Sequence, residues 1–209
     1  MTTILLIIFA ITLLYFSIAN RLMTYLSLLT VQGMLLFGVA LVELHQMNIV
    51  NLAFILLETV VVKAVAIPLF IRYVIKKNQI KREAEPFVPY FVSLIVTTLI
   101  ITAAYVLSMV ADVPQSGKPY FAVALASVFC GLFFIVSRKK IITHVICYVL
   151  IENGVFILSM AVGNEMPLLV NLGVLLDVFV SVFLLGIFIN KVGNVINDGD
   201  VNQLSSIKD

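Results

Sequence analysis

Seven apolar stretches dominate this sequence and constrain its fold more than any other feature. They cover approximately residues 3–19, 22–44, 49–75, 88–111, 119–137, 141–162 and 167–191. An α-helix needs ~20 apolar residues to cross the hydrocarbon core of a bilayer. Charged residues make up only 11% of the chain and its mean hydropathy is +1.17, whereas a soluble domain carries about 25% charged residues. We therefore predict an all-α, polytopic membrane protein with about seven transmembrane helices.

The basic residues are unequally divided between the two sides of these spans, and this division predicts the orientation of the chain. The side of the membrane opposite to the C-terminal end carries only Lys118. The side that includes the C-terminal end carries Arg21, Arg72, Lys76, Lys77, Lys81, Arg82, Arg138, Lys139, Lys140, Lys191 and Lys208. Because basic loops stay in the cytoplasm, we predict a multi-pass protein of the cytoplasmic (inner) membrane with its N-terminus outside and its C-terminus inside. The lipid bilayer is then its first partner, and no nucleic-acid partner is expected.

A weak internal repeat divides the chain into two units. LTVQGMLLF (29–37) resembles VLIENGVFI (149–157), which aligns Gln32 with Glu152. LLETVVVKAVAIPLFIRYV (56–74) resembles LLDVFVSVFLLGIFINKV (175–192), which aligns Glu58 with Asp177. We predict a three-helix unit over 1–75, a cytoplasmic loop and connector helix over 76–118, and a second three-helix unit with a short cytoplasmic tail over 119–209. The single connector helix would make the two units parallel in the membrane.

Two acids near the middle of the last two spans, Glu152 and Asp177, are the strongest candidates for function. An Asp at the centre of a transmembrane helix costs roughly 2.5–3.5 kcal/mol on insertion scales, so such a residue usually faces protein or trapped water. Buried carboxyl groups that lie close together can take up and release protons near neutral pH. The alternative interpretation is that these acids only pair with polar groups of another subunit and hold an assembly together.

Glu58, Lys63 and His144 are further candidates for this proton path, and a role in assembly is an equal alternative for Glu58 and Lys63. Glu58 and Lys63 share the third span, which Pro68 is expected to bend or loosen. In an α-helix their spacing puts them about 140° apart, so we expect Lys63 to reach a different partner, such as an acid on a neighbouring chain. His144 lies two turns from Glu152 and is either a proton relay or an ordinary hydrogen-bonding residue at the membrane interface.

No metal, cofactor or catalytic site is predicted in this chain. The two cysteines, Cys130 and Cys147, lie in separate apolar spans, and the sequence has no Cys-x-x-Cys pair, His-x-x-His pair or Gly-rich phosphate loop. Small residues at Ala122, Ala126, Ser127 and Gly131 recur at four-residue spacing and predict close helix packing.

Several motifs resemble a known family. The segments CYVLIENGVFIL (147–158), PLLVNLGVLLDVFVSVFLLGIF (167–188) and DVNQLSSIKD (200–209) closely resemble hydrogenase-4 component E, the HyfE family. The second half is also similar to NuoK, the small three-helix subunit of complex I, which carries one Glu in each of its last two helices. Those positions match Glu152 and Asp177, although the second is Asp here. The resemblance thus implies two NuoK-like units.

The resemblance also implies a function and a set of partners. It implies a non-catalytic membrane subunit of a group 4 [NiFe] hydrogenase or formate hydrogenlyase-type complex, whose buried acids contribute to proton translocation coupled to electron transfer. The partner subunits would be antiporter-like membrane subunits, a membrane anchor subunit and a peripheral arm with the [NiFe] centre and iron–sulfur clusters. Two alternatives remain open: a structural linker of the membrane arm, and an independent secondary transporter or a subunit of a cation/proton antiporter.

Overall fold

The computed structural model describes residues 1–43, 57–77, 86–162 and Gly186, and the elements in this part of the chain are helical. Their bounds in chain order are α1 (Thr2–Ile18), α2 (Leu22–Glu43), the π-helix π1 (Leu57–Ala66), α3 (Ile67–Lys77), α4 (Tyr90–Val110), α5 (Lys118–Ser137) and α6 (Ile141–Val162). Four of them, α2, α4, α5 and α6, are long and apolar enough to cross a membrane, and α1 is a shorter apolar helix. The chain is therefore a membrane protein, and its described part is all-helical.

The described helices begin and end close to the predicted spans. Helix α6 covers the predicted 141–162, and α5 begins one residue before the predicted 119–137. The beginning of the third predicted span and nearly all of the seventh lie outside the described residues. The count of seven spans and their division into two parallel units therefore remain predictions.

The third predicted span changes its helical geometry next to Pro68. The π-helix π1 ends at Ala66, and α3 continues from Ile67. Proline has no backbone N–H to donate and its ring crowds the preceding turn, so a wider turn before it is a reasonable accommodation. Pro68 is expected to bend or loosen this span, and ten π-helical residues end two positions before it.

Helices α5 and α6 form the most extensive helix pair, and small residues allow their close approach. An added Cβ on Gly131 would come within 2.4 Å of Ile151 Cγ1, and one on Gly154 within 2.8 Å of Ser127 Cβ. The Ser127 hydroxyl donates a hydrogen bond of 3.0 Å to the Leu150 carbonyl across the same interface. The packing role predicted for the small residues of this span is confirmed.

Helix α4, the predicted connector, buries its polar side chains and exposes its apolar ones, which is typical of a lipid-facing helix. Its small and polar side chains, such as Ser93, Thr97 and Ser108, are buried against the bundle. Its large apolar side chains, such as Phe91 and Leu99, are exposed. In water this arrangement would be unfavourable, whereas in a bilayer the apolar side chains contact acyl chains.

A buried arginine connects the two halves of the chain at the basic end of the bundle. Arg138, which follows α5, is 1% exposed, and its Nη2 donates a hydrogen bond of 2.7 Å to the Ser17 carbonyl at the end of α1. Its guanidinium also lies over the rings of Tyr90, Tyr25 and Phe134, at 5.3–5.9 Å from their centroids. A cation at the C-terminal end of a helix is favoured by the helix dipole. Arg138 thus contributes to packing as well as to the charge of this side.

Candidate functional site

A buried ion pair connects π1 to α6 in the interior of the bundle. Lys63 Nζ lies 3.7 Å from Glu152 Oε1, and the two side chains are only 2% and 8% exposed. That distance exceeds the range of a direct hydrogen bond, so the contact is one between charges. In a low-dielectric interior such a contact is strong, but each ion loses a large hydration energy. A pair in this position is therefore unlike the surface ion pairs of soluble proteins.

An aromatic ring also lies close to the lysine. Lys63 Nζ lies 4.8 Å from the centroid of the Phe156 ring, one turn after Glu152 on the same helix. The face of an aromatic ring attracts a cation, and the attraction is stronger where water is excluded. The ammonium group thus has both its carboxylate and its aromatic neighbour on α6.

A chain of uncharged polar side chains lies beside the ion pair and connects three helices. Asn153 Nδ2 donates a hydrogen bond of 3.2 Å to Gln32 Oε1, and Gln32 Nε2 donates one of 2.8 Å to Thr12 Oγ1. The Thr12 hydroxyl donates in turn to the Phe9 carbonyl at 2.6 Å. Because Asn153 directly follows Glu152 in the sequence, this chain links α1 and α2 to the part of α6 that carries the acid.

Close backbone packing between α2 and π1 fixes the position of the lysine. A Cβ added to Gly33 would come within 2.9 Å of the Cα, Cβ and N atoms of Ala64, so α2 and π1 approach each other where only glycine fits. Ala64 directly follows Lys63. The glycine that follows Gln32 in the sequence thus sets the separation of π1 from α2, and with it the position of the Lys63 ammonium.

The structure brings together two of the five predicted site residues, Lys63 and Glu152. The expectation that Lys63 reaches a partner other than Glu58 is confirmed, and Glu152, on another helix of the same chain, is such a partner. The predicted angle of 140° from Glu58 is wrong, because it assumes an α-helix. In a π-helix hydrogen bonds join residues five apart, so residues 58 and 63 occupy successive turns. The side chain of Glu58 and all of Asp177 lie outside the described residues.

His144 occupies an interfacial position at the start of α6. Its Nε2 donates to the carbonyl oxygen of Arg138 at a distance of 2.9 Å. This contact matches the ordinary hydrogen-bonding alternative for His144, and it fixes the ring near the basic end of the bundle. A relay between His144 and Glu152 remains a prediction.

Two polar residues of this region were not identified from the sequence as functional candidates: Thr12 and Asn153. Asn153 could have been identified from the sequence, since a second polar residue directly after an intramembrane acid is rare in an apolar span. Thr12 had none, because threonine satisfies its hydroxyl within its own helix in most spans. Within the described ranges, no group of three or more His, Cys, Asp or Glu side chains is placed to hold a metal ion.

Comparison with known proteins gives a consistent set of relatives. No protein-family model matches the chain, and no solved structure matches it. Hydrogenase-4 component E of Escherichia coli strain K12 is 28% identical over 150 residues, which cover 71% of this chain and 69% of that protein. This chain is similar to hydrogenase-4 component E. The Shigella flexneri protein of the same name gives the same values.

A further relative carries no functional description. An uncharacterized protein of Mycobacterium tuberculosis is 26% identical over 131 residues, 62% of this chain and 60% of that protein. The similarity to hydrogenase-4 component E supports the resemblance identified from the motifs. The likeness of the second half to NuoK remains a prediction.

Proposed function

We propose that this chain is an integral membrane subunit of a group 4 [NiFe] hydrogenase complex of the hydrogenase-4 or formate hydrogenlyase type. The similarity to hydrogenase-4 component E over 71% of the chain supports this assignment, as do four helices capable of crossing a membrane. The partners are antiporter-like membrane subunits, a membrane anchor subunit and a peripheral arm that carries the [NiFe] centre and iron–sulfur clusters. This chain binds neither cofactor.

Within that complex we propose that Glu152 takes part in proton translocation coupled to electron transfer. The observation that carries this proposal is the buried contact between Glu152 and Lys63. Protonation of the carboxylate would cancel its attraction to the ammonium, so each proton that passes through this site changes the force between π1 and α6. Asp177, Glu58 and His144 extend the path in this proposal, and the basic side of the bundle faces the cytoplasm.

A purely structural role is the second candidate, and the same contact provides its support. Lys63 and Glu152 join two helices of one chain, and the hydrogen bonds from Asn153 through Gln32 to Thr12 join three. Such contacts can fix helix positions without moving protons. The two candidates differ in what happens to proton translocation when the charges are removed from an assembled complex.

Membership of the complex is tested by affinity purification of the full-length chain from mild detergent through a C-terminal tag. We expect a nickel–iron large subunit and antiporter-like membrane subunits to co-purify and to be identified by mass spectrometry. Recovery of the chain alone, or only as a homo-oligomer, would contradict the assignment and favour an independent transporter.

Neutralising the acid should impair proton coupling. We expect Glu152→Gln to reduce the protons translocated for each hydrogen molecule turned over, because an amide cannot exchange a proton at this site. The measurement is proton movement in membrane vesicles, normalised to the amount of assembled complex. Asp112→Asn is the matched control, since it also converts a carboxylate to an amide but at an exposed position after α4. Normal coupling in Glu152→Gln would show that this carboxylate carries no protons.

A further inference from the structure

A groove runs between α2 and the π1–α3 helix on the outer surface of the bundle. Its volume is about 410 Å³, within the roughly 300–1,000 Å³ typical of ligand sites. Ser27 and Thr30 line it from α2, and Val65, Leu69 and Arg72 line it from the other side. The ion pair described above does not line this groove, so it is a separate feature of the molecule.

The groove opens sideways towards the bilayer. Three of its lining residues, Met23, Val65 and Leu69, are 38%, 42% and 57% exposed. Met23 lies on α2, which is long and apolar enough to cross a membrane, so the medium in front of the groove is lipid hydrocarbon. Ala64, which also lines the groove, lies in close contact with Gly33 of α2.

The chemistry of the groove favours an acyl chain over water. Most of its lining side chains are apolar. The hydroxyl of Ser27 donates to the Met23 carbonyl at 3.0 Å, and that of Thr30 donates to the Leu26 carbonyl at 3.1 Å. Both donors are thus satisfied within α2, and the groove surface offers little to a chain of water molecules.

A cation stands at one end of the groove. Met23 belongs to the first turn of α2, so the end of the groove that it shares with Arg72 is the basic end of the bundle. Arg72 is exposed and makes no ion pair with the residues that the structure describes. A guanidinium binds a phosphate through two parallel hydrogen bonds. Basic pockets between transmembrane helices bind the headgroups of anionic lipids.

We propose that this groove is a binding site for an anionic phospholipid, with an acyl chain between α2 and π1–α3 and the phosphate on Arg72. The proposed lipid site does not depend on whether the chain belongs to a hydrogenase, because it is formed by the chain's own residues. A bound lipid would fill the groove in front of π1 and stabilise the position of the helix that carries Lys63.

Native mass spectrometry of the purified full-length chain tests the proposal. The protein is delipidated and mixed with phosphatidylglycerol or with phosphatidylcholine of the same acyl chains. We expect the wild-type chain to retain phosphatidylglycerol preferentially, and Arg72→Gln to retain it roughly five-fold less, in line with the free energy of one basic residue at a membrane surface. Arg21→Gln removes an equal charge from the same side without altering the groove lining and should have little effect. Equal retention in the wild-type chain and Arg72→Gln, or equal losses in both variants, would overturn the proposal.

A photo-crosslinking residue at Ser27 tests the occupant in native membranes. The assembled protein is irradiated in membranes and its adducts are identified by mass. We expect phospholipid adducts, and we expect them to decrease when Arg72→Gln is introduced. Adducts to a polypeptide would show that the groove is a protein interface, and an absence of lipid adducts would also overturn the proposal.

Discussion

Lys63→Met should destabilise the chain by about 3–5 kcal/mol, the typical cost of removing one partner of a buried ion pair. Methionine fills most of the volume of the lysine stem but leaves the carboxylate of Glu152 without the cation 3.7 Å away. The free energy of unfolding is measured by titration with sodium dodecyl sulfate in mixed micelles, followed by circular dichroism. The chain has no tryptophan to serve as an intrinsic probe.

The double variant Lys63→Met/Glu152→Gln should recover most of that loss, because it removes both charges together. Replacement of a whole buried ion pair is often neutral or stabilising. Lys118→Met is a suitable control for the loss of a lysine, since the hydrogen bond that Lys118 Nζ donates to the Met109 carbonyl is exposed. If Lys63→Met were as stable as Lys118→Met, the buried pair would not contribute to the fold.

Gly33→Ala should also be strongly destabilising, although it adds only one methyl group. The new Cβ would lie 2.9 Å from three atoms of Ala64, two of them backbone atoms, so α2 and π1 must move apart. Overpacking of this kind costs about 1–3 kcal/mol and occasionally more. The same unfolding titration measures it, and the displaced lysine should also lower the proton coupling of an assembled complex.

Gly38→Ala on the same helix is the matched control for that substitution. Its Cβ would meet the flexible end of Leu5 at 3.3 Å, and alanine is a better helix former than glycine by about 1 kcal/mol. We expect this change to be neutral or slightly stabilising. Equal effects of the two substitutions would contradict the close packing of α2 against π1.

The helix bounds were predictable because a bilayer imposes a strong and simple constraint. A segment that crosses hydrocarbon must satisfy its backbone hydrogen bonds internally and present apolar side chains over ~20 residues. The lengths of the apolar stretches in α5 and α6 follow from that constraint. Their observed bounds therefore differ from the predicted ones by one residue or less. The burial of Glu152, which is 6% exposed, was predictable for the same reason, since an acid in such a stretch is costly unless it faces protein or water.

The pairing of Lys63 with Glu152 was not predictable from one sequence. The two residues lie on helices whose mutual position depends on Gly33, Ala64 and the packing around them. The direction of the lysine also depends on the π-helical geometry of π1, which no pattern in the sequence indicates. An α-helical wheel therefore gives the wrong angle between positions 58 and 63.

Two hydrogen bonds between the first and second halves join residues whose separation in the sequence is close to the offset of the predicted repeat. Arg138 and Ser17 are 121 positions apart, and so are Asn153 and Gln32. The sequence alignment of Gln32 with Glu152 has an offset of 120 residues. Contacts between nearly equivalent positions are expected where two similar units face each other across an approximate two-fold axis. The repeat remains a prediction, since the seventh span lies outside the described part of the chain.

The most direct test of the proposed role uses the double variant Lys63→Met/Glu152→Gln in the assembled hydrogenase complex. This variant removes the charges of the site without leaving either ion alone. Protons translocated for each hydrogen molecule turned over are measured in sealed membrane vesicles, together with the amount of complex and its hydrogenase activity. The proposed role in proton translocation predicts an assembled, hydrogen-active complex whose proton yield falls to the level of uncoupled vesicles. A wild-type proton yield in that complex would contradict it and leave the ion pair a purely structural contact.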